Sequence, residues 1–314
     1  MKRNNLYKIV FVLIAMLTIQ SCSDKFEERE GQLNADDLDY TATENMVQAL
    51  IGSYYVIATR GWEEPLLLSV RGDDVNAGGL GDQQPFADTD NFVYAQGYWM
   101  YNSLWNVHYG DIVELNTQIE LIENFKAFAD ESGKATADQY IAEIKVMRAW
   151  LHFNLARVWG DVFIIETTQP DAEIANGTAT KQEMMQYISD QMDEAIPLLP
   201  DSRPNERTDI PGGVTRYTAY ALKAMARMEM EDYQGMADAC SAIINSNKFS
   251  LYPDFYSLFK KPGELSDESL FELQFSDYGS STGDTFYHLY GPFGPQGWTP
   301  ARENASDGWG FYEP

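Results

Sequence analysis

The stretch TADQYIAEIKVMRAWLHFNLARVWG, residues 136–160, carries a long helical pattern. Its apolar residues recur at steps of three or four, a spacing that places them on one face of an α-helix. These residues are Ile144, Met147, Leu151, Leu155 and Val158. Thr136 and Gln139 fit a capping box, in which two side chains bind backbone amides that the first helical turn leaves free. The stretch therefore predicts a long helix that begins near Thr136 and buries one face.

Two further helical segments also begin with a capping box. They are residues 41–59, opened by Thr41 and Glu44, and residues 180–200, opened by Thr180 and Glu183. Residues 99–125 have helical spacing as well, and Gly110 is expected to break this helix. The first 200 residues are therefore expected to be largely helical.

Residues 215–247 predict a helical hairpin, because two apolar helical segments flank a tight turn at 231–233. Its length is similar to that of a tetratricopeptide repeat, a helix–turn–helix unit of about 34 residues. Around 271–275 apolar and polar residues alternate as in a short strand. Residues 265–314 are rich in glycine and proline, which favour loops. The predicted fold class is mainly α, with tetratricopeptide-like hairpins in an α-α superhelix, long loops and a few short strands.

Residues 1–21 are typical of a secretory signal peptide. Positive residues precede an apolar core, Ile9–Ile19, which is too short to span a bilayer, since spanning takes about 20 residues. Aliphatic Ile19 and small Ser21 precede Cys22, an arrangement that resembles the lipobox of bacterial lipoproteins. In a lipobox the cysteine is lipidated and becomes the first residue of the mature protein. An ordinary signal peptide with a chance cysteine at the cleavage site is the alternative.

Residues 22–37 are expected to be the lipidated cysteine and a flexible tether, because SDKFEERE is charged and poor in structure-forming residues. A single acyl chain holds a protein only weakly, so a stable anchor needs a multiply acylated cysteine. Residues 38–314 would then form the folded domain. With Cys22 lipidated, Cys240 has no partner for an internal disulfide and is expected to be a small core residue.

The charge balance narrows the choice of partners. The formal net charge is −26, and removal of the signal peptide with its three positive charges takes it to −29. Such an acidic surface repels phosphate backbones, so nucleic acid is not an expected partner. No apolar stretch beyond the signal peptide is long enough to cross a membrane.

The motifs that suggest catalysis or metal binding in this sequence are incomplete. Gly279–Gly283 matches G-x-S-x-G, but glycine and proline follow it where a nucleophile elbow needs a helix. The three histidines lack zinc-ligand spacing, and Asp73–Asp74 does not complete a calcium loop. No catalytic residue, metal or cofactor is therefore predicted. A glycosidase stays open as an alternative, because its carboxylate pair is defined by a distance that sequence alone does not show.

Binding chemistry is concentrated in two loop regions, residues 61–99 and 277–298. Both combine aromatic residues with carboxylates and other polar groups. The apolar face of a sugar ring lies against aromatic rings, while its hydroxyls bind carboxylates, amides and guanidinium groups. Loop aromatics are also harder to assign to a core than those with helical spacing. The helical tryptophans, expected in the core, are Trp105, Trp150 and Trp159.

Three other residues with helical spacing also have a structural interpretation. His152 is expected in the core or between helices. Arg148 and Arg157 are expected to pair with neighbouring acids rather than with a ligand.

The ordered set of motifs resembles the SusD/RagB family of outer-membrane nutrient-binding lipoproteins. Besides Cys22, the motifs are VRGDDVNAGG (70–79), NSLWNVHYGDIVELNTQIE (102–120), AEIKVMRAWLHFNLARVWGDV (142–162), EDYQGMADACSAIINS (231–246), SLFELQFS (269–276) and GWGF (308–311). They span nearly the whole mature chain. One departure is Gly160-Asp161, where the family usually has Gly-Gly. Members continue well past GWGF, so the resemblance implies that a chain ending at Pro314 is C-terminally shortened.

The resemblance also implies a ligand site built from the two loop regions. Carried over by position, the expected hydrogen-bonding residues are Arg71, Asp73, Asp74 and Asn76. The expected stacking residues are Trp62, Tyr94, Tyr290 and Trp298. Each aromatic residue could instead pack the loop onto the helical body.

The function implied by the resemblance is non-catalytic. A cell-surface lipoprotein, anchored in the outer membrane through Cys22, would bind a glycan or oligosaccharide. It would pass this ligand to a SusC-like, TonB-dependent transporter. The alternative is a lipoprotein that captures peptides or protein fragments, as the RagB branch of the resemblance suggests.

Overall fold

The computed structural model describes residues 38–58, 65–72, 84–258 and 260–275. The elements below belong to the larger of the chain's two structural units, which begins at Thr41. Its α-helices are α1 (Met46–Ala58), α2 (Gln84–Asp90), α3 (Trp99–Lys126), α4 (Glu131–Trp159), α5 (Asp171–Ala175), α6 (Lys181–Ala195), α7 (Arg216–Glu229), α8 (Tyr233–Ile244) and α9 (Phe255–Leu258). Single turns of 3₁₀-helix occur at Thr43–Asn45, Pro204–Glu206 and Lys261–Gly263, and a π-helical turn at Pro65–Ser69. The mainly α fold class is confirmed.

The predicted long helix is α4, but it begins earlier than expected. Asp130 is its N-cap and accepts a hydrogen bond from the Gly133 amide at 2.8 Å. Thr136 lies inside the helix, and its hydroxyl donates to the Ser132 carbonyl. The predicted start at Thr136 was therefore wrong, because a stronger acidic cap lies one and a half turns upstream. Of the five residues predicted on its core face, Ile144, Met147, Leu151 and Leu155 are buried, and Val158 is half-buried.

Helix α3 is continuous from Trp99 to Lys126, so the expected break at Gly110 was wrong. A glycine inside a helix costs only about 1 kcal/mol relative to alanine, and tertiary packing readily offsets this. The capping box at Thr180 and Glu183 is confirmed at the start of α6. The one expected at Thr41 was wrong, since a 3₁₀ turn with Ala42 as its N-cap precedes α1.

The long helices pack against one another in chain order. Helix α3 contacts α4, α4 contacts α6, α6 contacts α7, and α7 contacts α8, while α1 lies on α3 and α4. The predicted hairpin is formed by α7 and α8, with Glu231 in the tight turn in a left-handed conformation. Cys240 on α8 is half-buried rather than a core residue. No helix among the described residues is both long and apolar enough to cross a membrane.

A buried ion pair joins α4 to the loop before α7. The Glu143 carboxylate contacts the Arg207 guanidinium at 2.7 Å, and both side chains are almost completely buried. The Tyr54 hydroxyl donates to Glu143 at 2.6 Å and accepts from the Val214 amide at 2.7 Å. Asp209 forms two further bonds to Arg207. Burial raises the pKa of Glu143, and the adjacent guanidinium opposes that shift.

A second buried cluster surrounds Arg148 on α4. Its guanidinium donates to Asn116 of α3 at 2.7 Å, to Gln191 of α6 at 3.1 Å and to Glu166 at 3.1 Å. One side chain thus joins three parts of the fold, as expected for an arginine that pairs with an acid. Arg157 also pairs with an acid, Glu229, at 3.2 Å.

The short strand expected around residues 271–275 was wrong, since no strand is present among the described residues. Among the described residues, one bond joins the backbone there to another backbone group, from the Glu272 amide to the Gly212 carbonyl at 2.9 Å. Gly212 has φ +85°, and a Cβ at this position would lie 2.1 Å from the Glu272 carbonyl oxygen. Glycine is therefore required both by the backbone conformation and by the close approach of the two segments.

Replacement of Gly212 by alanine tests this close approach. We expect Gly177→Ala, at φ +88° with no atom within 4 Å, to lower the free energy of unfolding by about 1 kcal/mol through backbone strain alone. Gly212→Ala should cost about 1–3 kcal/mol more, because the methyl group must displace the Glu272 backbone. Urea denaturation of both variants measures the difference. Equal losses would show that the contact with Glu272 contributes nothing.

Acidification tests His152, which is fully buried in α4. Its Nε2 accepts from the Ile165 amide at 3.3 Å, so the ring is neutral and Nδ1–H donates to the Arg148 carbonyl at 3.1 Å. Burial, together with the Arg148 charge and nearby His108, lowers the pKa of His152 to about 3. The unfolded chain, with a histidine pKa of about 6.5, binds more protons between these two values. The contribution of neutral His152 to the free energy of unfolding is therefore fully present above about pH 6.5, and it is lost as the pH drops toward 3.

We expect wild-type protein to lose about 2 kcal/mol more unfolding free energy between pH 7 and pH 5 than His152→Asn loses. Urea denaturation at the two pH values gives this difference directly. Tyr187→Phe, which alters a ring in edge contact with His152, is the non-titrating control and should keep the wild-type pH dependence. The same pH dependence in wild type and His152→Asn would refute the assignment.

Candidate functional site

Two of the predicted ligand-binding residues lie in the part of the chain that the structure describes. Arg71 is half-buried, and Tyr94 is 47% exposed. The others lie outside the described residues, so their predicted roles stay predictions. They are Trp62, Asp73, Asp74, Asn76, Tyr290 and Trp298. Cys22, the predicted lipidation site, also lies outside the described residues.

Around Tyr94 the structure shows an exposed apolar surface that joins α2 to α3. We call it the aromatic surface; its members are Phe92, Val93, Tyr94, Tyr98, Trp99 and Tyr101. Trp99 has the largest ring of the six and is 62% exposed, at the first turn of α3. Phe92 and Val93 are also exposed. From this segment the sequence predicts only Tyr94 as a binding residue, although all six residues lie within or next to the loop region 61–99.

Backbone geometry holds the first part of this surface outward. Helix α2 ends in a Schellman motif, in which the Val93 amide donates to Asp88 and the Phe92 amide donates to Thr89. The motif places Phe92 in a left-handed conformation, φ 57°, where glycine is usual. A non-glycine residue in this conformation carries about 1 kcal/mol of strain or more, and such strain is concentrated at functional sites.

Tyr101 is the centre of the ring packing. Its ring contacts Tyr94 edge-on with centroids 5.8 Å apart, and Tyr98 edge-on at 5.3 Å. Tyr98 in turn lies 6.2 Å from Trp99. These are favourable aromatic geometries, each contributing about 0.5–1.5 kcal/mol. The rings therefore support one another while one side of Tyr94 and Trp99 stays open to solvent.

Hydrogen bonding fixes Tyr101 to α2. The buried Thr89 hydroxyl donates to the Pro85 carbonyl at 2.6 Å. Because that hydroxyl has one proton, it accepts the second bond, from the Tyr101 hydroxyl at 2.7 Å. Burial and the neighbouring Tyr101 raise the pKa of Tyr98. Tyr98 therefore stays a neutral hydroxyl, able both to donate and to accept.

A small hydrophobic core lies beneath the aromatic surface. Its members are Leu67, Val70, Phe86, Met100 and Leu104, and Tyr98 and Tyr101 pack against it. Arg71 follows Val70 directly and lies in a turn closed by a bond from the Gly72 amide to Ser69. The structure thus joins the segment carrying Arg71 to the aromatic surface through a shared core.

The helical tryptophans are less buried than expected. Trp150 is 41% exposed, so its assignment to the core was wrong. Trp105 and Trp159 are half-buried and pack edge-on at 5.2 Å, next to Phe163. Helical spacing identifies residues that share a face, but it does not show whether another element covers that face. His152, by contrast, is a core residue, as predicted.

The aromatic surface offers flat apolar faces and tyrosine hydroxyls. Among the described residues there is no cluster of three or more metal-ligating side chains. Among the described residues, the carboxyl group with a raised pKa is that of Glu143 on α4. It is fully buried and bound to Arg207, Tyr54 and Gln139.

One protein-family model matches a large part of this chain. Residues 36–229 match the family model described as "Starch-binding associating with outer membrane". The match covers more than half of the sequence. The chain belongs to the SusD-like family. The mainly helical architecture and the ordered motifs are thus those of a SusD-like protein.

Relatives of this SusD-like chain are divergent in sequence. It is 23% identical over 288 residues to a SusD-like protein of Bacteroides ovatus, covering 87% of this chain and 50% of the relative. It is 22% identical to SusD-like protein P25 of Formosa agariphila, covering 88% and 52%. The chain therefore spans about half the length of the curated relatives that it matches.

Solved structures with the same fold include surface glycan-binding protein A from Bacteroides thetaiotaomicron in complex with laminarihexaose. The TM-score is 0.66 at 24% identity, covering 85% of this chain and 58% of that one. A laminarin-binding SusD-like protein gives a TM-score of 0.62 at 20% identity, covering 73% and 50%. These similarities establish the fold of the SusD-like chain.

Proposed function

We propose that this SusD-like protein is a non-catalytic, cell-surface lipoprotein that binds a glycan chain and delivers it to a SusC-like, TonB-dependent transporter. The observation that carries this proposal is the aromatic surface, with Trp99 and Tyr94 as exposed platforms. The glycan would be held there by ring stacking, and Arg71 would hydrogen-bond its hydroxyls. Asp73, Asp74, Asn76, Trp62, Tyr290 and Trp298 are proposed to complete the site.

Sugar chemistry fits this surface. A pyranose ring has an apolar face that loses water favourably against an aromatic ring, while its hydroxyls need hydrogen-bonding partners. Tyr94 and Trp99 supply the flat faces. The neutral hydroxyl of Tyr98, which donates to the Met100 sulfur at 3.8 Å, supplies an acceptor. Rings fixed in advance by Tyr101 and Thr89 lose little conformational entropy when a ligand binds.

The fold relatives support a glycan as the ligand. Surface glycan-binding protein A was solved in complex with laminarihexaose, and another relative is named as laminarin-binding. A neutral glycan also fits a strongly acidic protein, because it carries no charge for the surface to repel.

The anchor is proposed from the lipobox at Cys22. A tethered binder remains at high local concentration over its transporter, so capture and delivery need not await diffusion. In cells given a labelled lipid precursor, we expect the wild-type chain to carry the label and to sediment with outer membranes. Cys22→Ala should carry no label. An unlabelled wild-type chain recovered in the soluble fraction would defeat the anchoring proposal.

Affinity electrophoresis tests ligand binding. We expect the mature protein to be retarded in gels containing a neutral polysaccharide such as laminarin or starch. Trp99→Ala and Tyr94→Ala should each weaken binding about tenfold, since loss of one stacking contact costs about 1–1.5 kcal/mol. Arg71→Ala should also weaken it. The matched control is Tyr233→Ala, which removes an exposed ring on α8 and should bind as wild type.

Two results would contradict the proposal. Retardation that is unchanged in both Trp99→Ala and Tyr94→Ala would place the site elsewhere. Absence of retardation by any glycan, from protein shown to be folded by circular dichroism, together with binding to a protein digest, would favour a peptide ligand. Release of reducing sugar from a retarding polysaccharide would favour a glycosidase.

A further inference from the structure

An open apolar groove lies between α1, α4, α7 and the segment Leu270–Phe271. Its volume is about 340 Å³, and nearly all its lining side chains are apolar. Trp150 forms part of its lining, exposed by 41% and stacked on Phe153 with centroids 5.9 Å apart. Met225 lies in the groove on α7 and is half-buried. Open apolar surface of this kind is unfavourable in water and usually marks an interface.

The lining of the groove offers few polar groups. Thr218 is its polar side chain, and the Thr218 hydroxyl already donates to the Leu270 carbonyl at 2.6 Å and accepts from the Thr215 amide at 3.0 Å. A sugar in this groove would lose hydrogen bonds to water without replacement, which is costly. The chemistry of the groove therefore selects an apolar or aromatic side chain.

The chain itself forms one wall of the groove. The Phe271 ring stacks on Tyr54 with centroids 6.4 Å apart, and Tyr54 belongs to the buried ion-pair network. The Leu270 carbonyl is bound by Thr218, and the Glu272 amide by Gly212. The polypeptide is thus attached to the groove on both sides of Phe271, and the chain continues from there.

The residues that follow Leu270–Phe271 in the chain are rich in aromatic side chains, which suit an apolar groove. Residues 276–314 comprise 39 residues, nine of them aromatic. We call them the C-terminal segment. Attachment at Leu270–Glu272 makes the docking of these side chains an intramolecular event, which raises their effective concentration at the groove. No separate molecule has this advantage.

We propose that this groove is the docking site for the chain's own C-terminal segment, which inserts an aromatic side chain beside Trp150 and Met225. A second copy of the chain is disfavoured as the occupant, because each copy has a net charge of −26 and the two would repel. The inference does not depend on glycan binding.

Thiol labelling of the full-length chain tests the docking. In a background of Cys22→Ser and Cys240→Ser, Met225→Cys reports on the groove. Met228→Cys, on the same helix and 46% exposed, is the matched control. We expect the groove thiol to react with 5,5′-dithiobis(2-nitrobenzoic acid) at least tenfold more slowly than the control. Serine replacement of all nine aromatic residues of the C-terminal segment should remove this protection and leave the control rate unchanged.

Three outcomes would overturn the inference. Similar labelling rates at the two positions would show an open groove. Protection that survives the serine replacements would show that another part of the protein covers the groove. Protection that increases with protein concentration, together with a dimer in analytical ultracentrifugation, would assign the groove to a second copy.

Hydroxyl-radical footprinting of the unmodified chain gives an answer that does not rely on substitutions. We expect Trp150 to be oxidised at least fivefold more slowly than Trp99, although both are exposed in the described part of the structure. Equal oxidation of the two tryptophans would refute the docking. Neither readout requires a glycan, so failure of the proposed function would leave this test intact.

Discussion

The buried contact between Glu143 and Arg207 is the constraint on which much of the described structure depends. Removing two charges from water costs several kcal/mol for each ion, so the pair is tolerated only when every remaining donor and acceptor is bound. Tyr54 of α1 and Asp209 complete the set around it. Because Tyr54 also binds the Val214 amide, the same network fixes the residue just before Thr215, the N-cap of α7. The start of the hairpin is therefore set by a polar network in the core rather than by the hairpin sequence.

The long helices that pack against one another in chain order give the aromatic surface a rigid support. Helix α3 carries Trp99 and Tyr101 at its N-terminal end, and it is joined to α4 by the bond between Asn116 and Arg148. At the opposite side of the surface, the C-terminal turn of α2 holds Phe92 in a strained conformation. Exposed rings on fixed supports can bind a ligand with little loss of conformational entropy. The arrangement is suited to recognition of a ligand.

Local signals in the sequence predicted part of the local structure. The capping box at Thr180 and the turn at Glu231 are formed as predicted, because each depends on residues a few positions apart. The other two expected capping boxes were wrong, since a neighbouring residue is the N-cap in each case. Three further failures depended on longer-range packing. Gly110 does not break α3, since the surrounding helices offset its low propensity. Residues 271–275 form no strand, because the neighbouring backbone at Gly212 supplies one hydrogen bond and no ladder. Trp150 has core-like spacing, yet none of the described elements covers its face completely.

The sequence by itself determined the helical composition, the family and the loop region in which the aromatic surface lies. It could do so because helical period, caps and ordered motifs are carried by neighbouring residues. Only the tertiary structure decided which rings share that surface, how Thr89 fixes Tyr101, and that Glu143 and Arg207 meet in the core. These contacts join residues that are far apart in the chain or that lie on different elements. Their formation depends on how whole helices pack, because burial and hydrogen bonding are decided by the complete set of neighbours around each side chain.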